Sequence, residues 1–282
     1  MAGRSERLVI TGAGGQLGSH LTAQAAREGR DMLALTSSQW DITDPAAAER
    51  IIRHGDVVIN CAAYTDVDGA ESNEAVAYAV NATGPQHLAR ACARVGARLI
   101  HVSTDYVFDG DFGGAEPRPY EPTDETAPQG VYARSKLAGE QAVLAAFPEA
   151  AVVRTAWVYT GGTGKDFVAV MRRLAAGHGR VDVVDDQTGS PTYVADLAEV
   201  SRFGQARAVF EECGADPQRV RPVSSAQFPR PAPRSSYSAL SSRQWALAGL
   251  TPLRHWRSAL ATALAAPANS TSIDRRLPST RD

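Results

Sequence analysis

A tyrosine and a lysine four residues apart, Tyr132 and Lys136 in the segment YARSK, are the first candidates for chemistry. On a helix this spacing places both side chains on one face. A free phenol has a pKa of about 10 and exchanges protons poorly at neutral pH. A neighbouring lysine cation favours the phenolate, so we expect it to lower that pKa. The pair predicts an acid–base centre, and an exposed aromatic–lysine pair is the structural alternative.

Three polar residues, Ser103, Thr104 and Asp105, end an apolar run that is typical of a buried strand. Burying such groups without partners costs roughly 1–3 kcal/mol each, so something must bond to them. A turn would satisfy them. A substrate would also satisfy them. The hydroxyl of Ser103 or Thr104 could donate to a substrate carbonyl oxygen while Tyr132 protonates that oxygen. With a hydride from a nicotinamide, the result is reduction of a ketone to an alcohol.

A glycine-rich turn supplies the expected site for that nicotinamide cofactor. Gly12, Gly15 and Gly18 lie between the first predicted strand and its helix. Glycines there permit a tight turn and close approach of a pyrophosphate to the helix N-terminus. The G-x-x-G-x-x-G spacing occurs also in ordinary strand–helix turns, but its position in the first such turn of an alternating pattern favours a dinucleotide.

The end of the second predicted strand bears on the choice between NADPH and NADH. NAD-selective sites place a carboxylate there, whereas this chain has Thr36, Ser37 and Ser38. These hydroxyls would not repel a 2′-phosphate, although no arginine or lysine lies close by to attract it. The sequence favours NADPH, with NADH possible.

Further cofactor contacts are expected at the carboxyl ends of the strands. Asp41 and Ile42 could meet the adenine, or form only a polar turn, and small residues after the third strand leave room for a ribose. The complete predicted cofactor-binding set is Gly12, Gly15, Gln16, Leu17, Gly18, Asp41, Ile42, Asn60, Ala62, Ala63, Tyr64, Tyr132 and Lys136.

The elements that must position these residues alternate between short β-branched runs and alanine-rich helical stretches. The pattern predicts strands at 7–12, 31–37, 56–63, 97–105 and 150–159, and helices at 15–29, 44–55 (capped by Asp44), 75–96 and 135–147. It indicates an α/β fold, a Rossmann-type doubly wound parallel sheet. We expect residues 1–158 to form the dinucleotide-binding domain, 159–266 mainly a smaller C-terminal substrate-binding lobe, and 267–282 a disordered tail.

The predicted lobe has a looser pattern. It contains helices at 164–177, 241–250 and 253–266, a strand at 179–186, a helix starting within 192–200, and a Pro-rich loop at 229–238.

The composition excludes several classes of protein. The chain has 282 residues and a net charge of −2, and its pI is near 6.3, so it gives no reason to expect nucleic acid or an anionic membrane as partner. It contains no apolar run of about 18–20 residues and no signal-peptide pattern. Three cysteines without metal or redox spacing suit a reducing compartment. We therefore expect a cytoplasmic protein.

Together, the glycine set, NCAAYTDVDGAE, HVSTDYVFDG, YARSKLAGE and RTAWVY resemble the extended short-chain dehydrogenase/reductase family, and within it the reductases of dTDP-4-dehydrorhamnose. The resemblance runs from about residue 7 to about residue 262. It implies NADPH-dependent reduction of dTDP-4-dehydro-L-rhamnose to dTDP-L-rhamnose, with Thr104, Tyr132 and Lys136 as the catalytic triad. The implied substrate-binding set is Thr65, Val67, Thr104, Asp105, Tyr106, Trp157, Gln187 and Thr192, with Pro191 in the same segment. For Trp157, packing of the ring is the structural alternative to a sugar contact.

The chain departs from the family pattern in two places that matter. Some relatives form a magnesium-linked dimer through acidic residues, but here the corresponding positions are Ser19-His20 and Ala195. We therefore expect no metal, and a monomer or homodimer. Relatives also have about 20–30 more residues between the two helical patterns that run together near Val200. Either the chain has lost an edge strand, or a segment is missing from this sequence and the numbering runs on across it. We favour the second alternative, because deletion of an edge strand would expose sheet backbone.

Two other functions remain open. A nucleotide-sugar epimerase or dehydratase would use tightly held NAD on the same scaffold, but dehydratases add a glutamate after the residue corresponding to Asp105, and this chain has Tyr106. A non-catalytic regulatory subunit would keep the fold, but would not need the Tyr132–Lys136 pair.

Overall fold

The computed structural model describes residues 6–161, 166–193, 196–197, 200–251 and 253–265. Ala195 and the tail predicted at 267–282 lie outside these residues. None of the described helices is long and apolar enough to cross a membrane.

A five-stranded sheet forms the first half of the chain. Its strands are β1 (Leu8–Thr11), β2 (Met32–Leu35), β3 (Val57–Asn60), β4 (Arg98–Thr104) and β5 (Ala151–Thr155). All neighbours pair in parallel, in the order β2-β1-β3-β4-β5. The direction of winding reverses between β1 and β3, which opens a crevice at their carboxyl ends. The predicted Rossmann-type α/β fold is confirmed.

Six helices accompany this sheet: α1 (Gln16–Arg27), α2 (Pro45–Ile51), α3 (Val67–Ala70), α4 (Glu74–Tyr78), α5 (Gly84–Val95) and α6 (Gly130–Ala146). Asp44 caps α2 as predicted, accepting the Ala46 N–H at 2.9 Å. The single helix predicted at 75–96 is instead α4 and α5 joined by a π-helical turn, Ala79–Thr83. The side chain of Asn81, within that turn, bonds to neighbouring segments, and such turns often mark functional positions. The short α3 was not predicted.

The core of this half lies between the sheet and its helices. Val9, Val58, Leu88 and Val143 are completely buried, and Trp40 is nearly so. Because β3 is apolar on both faces, it forms a central strand covered from both sides.

The second half forms a smaller lobe with short strands. Its elements are α7 (Phe167–Ala175), β6 (Val181–Val184), β7 (Thr188–Gly189), β8 (Thr192–Tyr193), β9 (Asp196–Leu197), β10 (Val200–Ser201), α8 (Arg202–Glu212), β11 (Val220–Val223), α9 (Arg243–Leu247) and α10 (Trp256–Ala265). β6 pairs with β11 in parallel, whereas β7–β10 and β8–β9 are antiparallel. Tyr159, Met171, Phe210 and Leu260 form its buried centre.

One sequence-based prediction about this lobe was wrong, and one strand was not predicted. The helix expected to start within 192–200 is replaced, where described, by β8, β9 and β10; the backbone of Thr192 bonds to Ala156 and Tyr159, which holds that residue extended. Strand β11 was missed because it contains Pro222, which a strand tolerates only at an edge position such as this one.

A close approach at Gly139 sets the position of α6, and a substitution tests it. A β-carbon at Gly139 would lie 2.0 Å from the carbonyl oxygen of Asn81. We expect Gly139→Ala to lower the free energy of unfolding by about 1–3 kcal/mol, since helix and turn must separate. Gly179→Ala is the matched control, because open space surrounds Gly179; its effect should stay within about 0.5 kcal/mol. Urea unfolding followed by circular dichroism measures both, and equal stability of the two variants would contradict the packing described.

Candidate active site

A cavity of about 690 Å³ opens at the carboxyl ends of β1 and β3. Of the predicted cofactor residues, the following line it: Gly12, Gly15, Gln16, Leu17, Gly18, Asp41, Ile42, Ala62, Ala63, Tyr132 and Lys136. Thr65, predicted to contact substrate, lines this cavity as well. The structure thus brings the predicted glycine turn and the Tyr–Lys pair to one site.

The glycines leave a cradle that side chains would fill. Gly12 has a φ of +62°, and a β-carbon there would lie 2.7 Å from the Ala62 nitrogen. A β-carbon at Gly18 would lie 2.2 Å from the Gly12 carbonyl oxygen. Gly15 is the N-cap of α1 and provides no side-chain hydrogen bond, so the first N–H groups of this 12-residue helix are available to an anion. The residues present fit a dinucleotide pyrophosphate.

Hydroxyl groups occupy the position that would select the ribose. Thr36 and Ser37 line the cavity, and the Thr36 hydroxyl lies 2.9 Å from that of Ser38 and 3.0 Å from Gln39 Oε1. Among the described lining residues, Asp41 is the one carboxylate. It accepts bonds from the hydroxyl and N–H of Thr43, which lower its pKa.

Two predicted cofactor residues support the cavity without lining it. Asn60 accepts the Thr11 hydroxyl at 2.6 Å and the Ala62 N–H at 3.2 Å, and its amide nitrogen lies 2.9 Å from His101 Nδ1. This buried network holds the ends of β1, β3 and β4 together. Tyr64 is fixed through its backbone.

The residue that fixes Tyr64 was missed by sequence reasoning. Asn81, completely buried, accepts the Tyr64 N–H at 2.8 Å and donates to the Tyr64 carbonyl at 3.1 Å and to the Ser135 hydroxyl at 3.0 Å. It links the loop after β3 to the helix that carries Tyr132. An asparagine within an otherwise apolar helical run was the available signal.

The predicted triad meets where β4 ends against α6. Thr104 is the last residue of β4; its hydroxyl donates to Asp105 Oδ1 at 3.2 Å and lies close enough to the Tyr132 phenol to lower the pKa of that group. Lys136 lies one turn further along α6, is only 2% exposed, and donates from Nζ to the Val102 carbonyl at 2.8 Å. The spacing read from the sequence therefore does place the two α6 side chains beside the end of β4.

The expected lowering of the tyrosine pKa was wrong. Burial raises the pKa of Tyr132, and the nearby Thr104 hydroxyl offsets only part of that rise. Burial also lowers the pKa of Lys136 from 10.5 to about 8. Since Lys136 bonds to a backbone carbonyl of β4, its charge does not outweigh the desolvation of the phenol. Tyr132 is thus a phenol at neutral pH, the form needed to give a proton.

A second cavity, of about 470 Å³, adjoins the first on the lobe side. Arg202, Arg230 and Arg234 line it together with apolar side chains, among them Phe167, Met171, Val183 and Phe228. Tyr106 and Gln187, both predicted to bind substrate, line it as well. The ring of Tyr106 meets that of Tyr132 edge to face, with centroids 5.6 Å apart. The two tyrosines thus stand between the cavities.

Trp157 has both a strained backbone and a packed ring. Its φ of +47° is unusual for a residue other than glycine, and such strain often occurs at functional sites. The ring lies against Gly189, and the Arg202 guanidinium stacks on it 3.6 Å from the centroid. It also lines a small cavity shared with Tyr106 and Gln187. The Trp157 ring therefore packs against its neighbours and also faces a cavity in which a ligand could contact it.

The remaining predicted substrate residues lie outside these cavities. Asp105 is buried and accepts the Ser238 hydroxyl at 2.6 Å, and burial raises its pKa to about 6. Val67 begins α3 and is half-buried. Thr192 is buried on β8, where its hydroxyl donates to the Ser190 carbonyl at 3.3 Å.

Comparison with known proteins agrees with this geometry. A family described as the RmlD substrate binding domain matches residues 6–202 and 198–268. A dTDP-4-dehydrorhamnose reductase of Mycobacterium tuberculosis (strain CDC 1551 / Oshkosh) is 93% identical over 304 aligned positions, with all of both chains covered. A dTDP-4-dehydrorhamnose reductase of Mycolicibacterium smegmatis is 58% identical over 98% of this chain and 90% of its own length.

Solved structures give the same result. A crystal structure of a dTDP-4-dehydrorhamnose reductase from Bacillus anthracis in complex with NADP has a TM-score of 0.83 at 35% identity, covering 91% of this chain and 97% of the other. A corresponding reductase structure from Clostridium acetobutylicum has a TM-score of 0.85 at 34% identity, with coverages of 92% and 98%.

The comparisons also bear on the segment expected to be absent near Val200. The alignment with the M. tuberculosis relative has 304 positions and this chain 282 residues, so 22 positions of the relative have no counterpart here. The two stretches matched by the family meet at residues 198–202. An identity of 93% over 304 positions amounts to about the whole of this chain, so nearly all of the difference between the two proteins lies in the 22 unmatched positions.

The burial of Lys136 predicts a pH dependence of stability. The folded protein releases the lysine proton near pH 8, whereas the unfolded chain keeps it to about pH 10.5. Between these values the unfolded state binds more protons, so this group makes the free energy of unfolding rise with pH. We expect the increment from pH 7.5 to 9.5, measured by urea unfolding, to be smaller in Lys136→Met than in the parent. The same increment in both proteins would contradict the assignment.

Proposed function

The chain belongs to the family described as the RmlD substrate binding domain, and from that membership we propose that it reduces the 4-keto group of dTDP-4-dehydro-L-rhamnose with NADPH, giving dTDP-L-rhamnose. The observation that carries the proposal is the position of the Tyr132 hydroxyl. Tyr132 lines the dinucleotide cavity beside Thr104, and its ring contacts that of Tyr106, which lines the arginine-rich cavity.

The chemistry divides between cofactor and protein. NADPH, when bound, supplies the hydride. As the carbonyl carbon is reduced, negative charge develops on its oxygen, and the hydroxyls of Thr104 and Tyr132 are donors already in place to stabilise it. Tyr132, protonated because burial raises its pKa, gives the proton that completes the alcohol. Lys136 then stabilises the phenolate left behind, because a cation nearby favours the ionised form.

The second cavity suits a nucleoside diphosphate sugar. Guanidinium groups bind phosphate oxygens in a fixed geometry, and Arg202, Arg230 and Arg234 supply three of them. Burial lowers the pKa of Arg202 to about 10, which leaves it a cation at neutral pH. Phe167 and Phe228 offer apolar surface for a base.

NADPH is the cofactor that this site favours. Thr36 and Ser37 carry no charge to repel a 2′-phosphate, and the B. anthracis structure of this family was solved with NADP. The predicted triad and substrate residues, the division at residue 158, a cytoplasmic location and a monomeric or dimeric state complete the proposal.

The alternative functions receive less support. Among the described residues around Thr104 and Tyr132, Asp105 is the nearby carboxylate, and it is occupied by the Ser238 hydroxyl. A dehydratase or epimerase needs further acid–base groups beside the triad. A regulatory subunit would not need a buried lysine four residues from a tyrosine in the same cavity.

Removal of one oxygen atom tests the proposal. Tyr132→Phe should lower kcat by about 10²- to 10⁴-fold, because the proton donor is lost, while NADPH binding is retained. The measurement is NADPH oxidation with dTDP-4-dehydro-L-rhamnose, run in parallel with NADH, plus cofactor affinity from quenching of protein fluorescence. Turnover by the variant at the parental rate, or no turnover by a parent that binds NADPH, would contradict the proposal.

Comparison with the M. tuberculosis relative tests the effect of the 22 unmatched positions. Among the described residues, those that line the cofactor cavity all precede Tyr159. We expect the Kd for NADPH of the two proteins to agree within about twofold, as for distant independent sites. The KM for the nucleotide sugar should be higher in this chain, since the segment that we expect to be absent near Val200 adjoins Arg202. Equal KM values for the nucleotide sugar with unequal Kd values for NADPH would contradict the expectation that the absent segment affects sugar binding and not cofactor binding.

A further inference from the structure

We propose that Asp68 and Glu71 are positioning residues that fix the substrate-binding loop relative to the catalytic helix. They lie three residues apart on and just after α3, in the segment 66–71, here called the bracket. The inference rests on the proposed function, which uses neither carboxylate, and it adds two residues that determine how sugar and proton donor meet.

Glu71 holds the beginning of the helix that carries Tyr132. Its Oε1 accepts the Val131 N–H at 2.7 Å, across 60 residues of sequence. The N-cap residue of α6, Gln129, makes no side-chain capping bond, so Glu71 caps the helix from outside. A carboxylate at this end is also favoured by the helix dipole. Because Val131 immediately precedes Tyr132, this bond fixes the turn from which the phenol projects.

Asp68 holds the Pro-rich loop. Its carboxylate accepts from the Arg234 guanidinium at 2.6 and 3.0 Å and from the Ala232 N–H at 3.2 Å, and Arg230 lies 3.5 Å away. Arg234 is only 15% exposed in this pair, and the bonds lower the pKa of Asp68. Arg234, Ala232 and Arg230 all line the arginine-rich cavity. The loop that forms one wall of that cavity is therefore tied to α3.

The two attachments are joined by direct packing. Gly130, the first residue of α6, has a φ of +78°, and a β-carbon there would lie 2.8 Å from Glu71 Oε1 and 3.2 Å from Pro233 Cδ. The start of α6, the bracket and the loop thus contact one another. Arg234 lines the arginine-rich cavity together with Tyr106, whose ring contacts that of Tyr132.

A capping hydrogen bond stabilises the bracket itself. Asp66 caps α3 by accepting the Gly69 N–H at 2.9 Å, and the Asp68 and Glu71 side chains leave this short element toward different partners. A shift of the loop is consequently transmitted to the start of α6. This coupling places a sugar held by the loop against the proton donor on the helix.

Steady-state kinetics with the nucleotide sugar and NADPH test the proposal. Asp68→Asn should raise the KM for the nucleotide sugar about tenfold with a smaller change in kcat, since a hydrogen-bonded ion pair is lost from the loop. Glu71→Ala should lower kcat about tenfold with a smaller change in that KM, because the helix start is released. The Kd for NADPH should be unchanged in both, as neither residue lines its cavity.

Two further variants separate positioning from general stability. Glu71→Gln keeps an oxygen that accepts the Val131 N–H, so kcat should recover most of the loss. Asp124→Asn is the matched control for Asp68: it breaks another two-pronged arginine pair, with Arg118 at 2.7 and 2.8 Å, on a loop outside both cavities. It should leave KM and kcat as in the parent.

The outcomes are distinguishable. An inactive parent would overturn the proposed function, and the bracket with it. An active parent with Asp68→Asn and Glu71→Ala kinetics equal to its own would overturn the bracket alone. The bracket proposal would also be overturned if Glu71→Gln failed to recover kcat, or if Asp124→Asn showed the shift in KM expected for Asp68→Asn.

Discussion

The burial of Lys136 against the end of β4 is the constraint on which the site depends. An ammonium group is costly to remove from water unless it is paired, and here the Val102 carbonyl and the charge of Glu140 offset that cost. Because the bond to Val102 holds α6 beside β4, Tyr132 is brought to Thr104. The position of one buried cation thus determines where the proton donor stands.

Other contacts of α6 also fix the position of Tyr132. Gly139 lets the helix approach the π-helical turn, Asn81 bonds to Ser135, and Arg154 on β5 forms a two-pronged ion pair with the buried Glu140, with bonds of 3.0 and 2.7 Å. Close backbone packing, a side-chain amide hydrogen bond and an ion pair thus hold helix α6 along its length. At its start it is held by Glu71, so the geometry of the phenol is determined by segments far apart in the chain.

Local sequence patterns were sufficient to predict much of the fold and of the site. The parallel sheet followed from alternating strands and helices, and the glycine turn and the Tyr–Lys spacing led to a single cavity. Long-range pairing was not predictable in this way. Glu71 and Val131, or Asp68 and Arg234, are joined only by the fold. The pKa of Tyr132 depends on burial, which sequence spacing does not measure, and so the expected sign of its shift was wrong.

The lobe was predicted less well because its strands are two to four residues long, too short to show a period. The two stretches that the family matches also meet there, at residues 198–202, next to the position where we expect a segment to be absent. The described residues that line the cofactor cavity all precede Tyr159.

In the proposed reaction, hydride passes from the nicotinamide to the sugar carbon beside Tyr132. Turnover of dTDP-4-dehydro-L-rhamnose with NADPH deuterated at the transferable C4 position, followed by mass spectrometry and NMR of the product, shows where that hydrogen goes. We expect one deuterium, located at C4 of the sugar. A sugar product without deuterium, or with deuterium at another carbon, would contradict the proposed reaction.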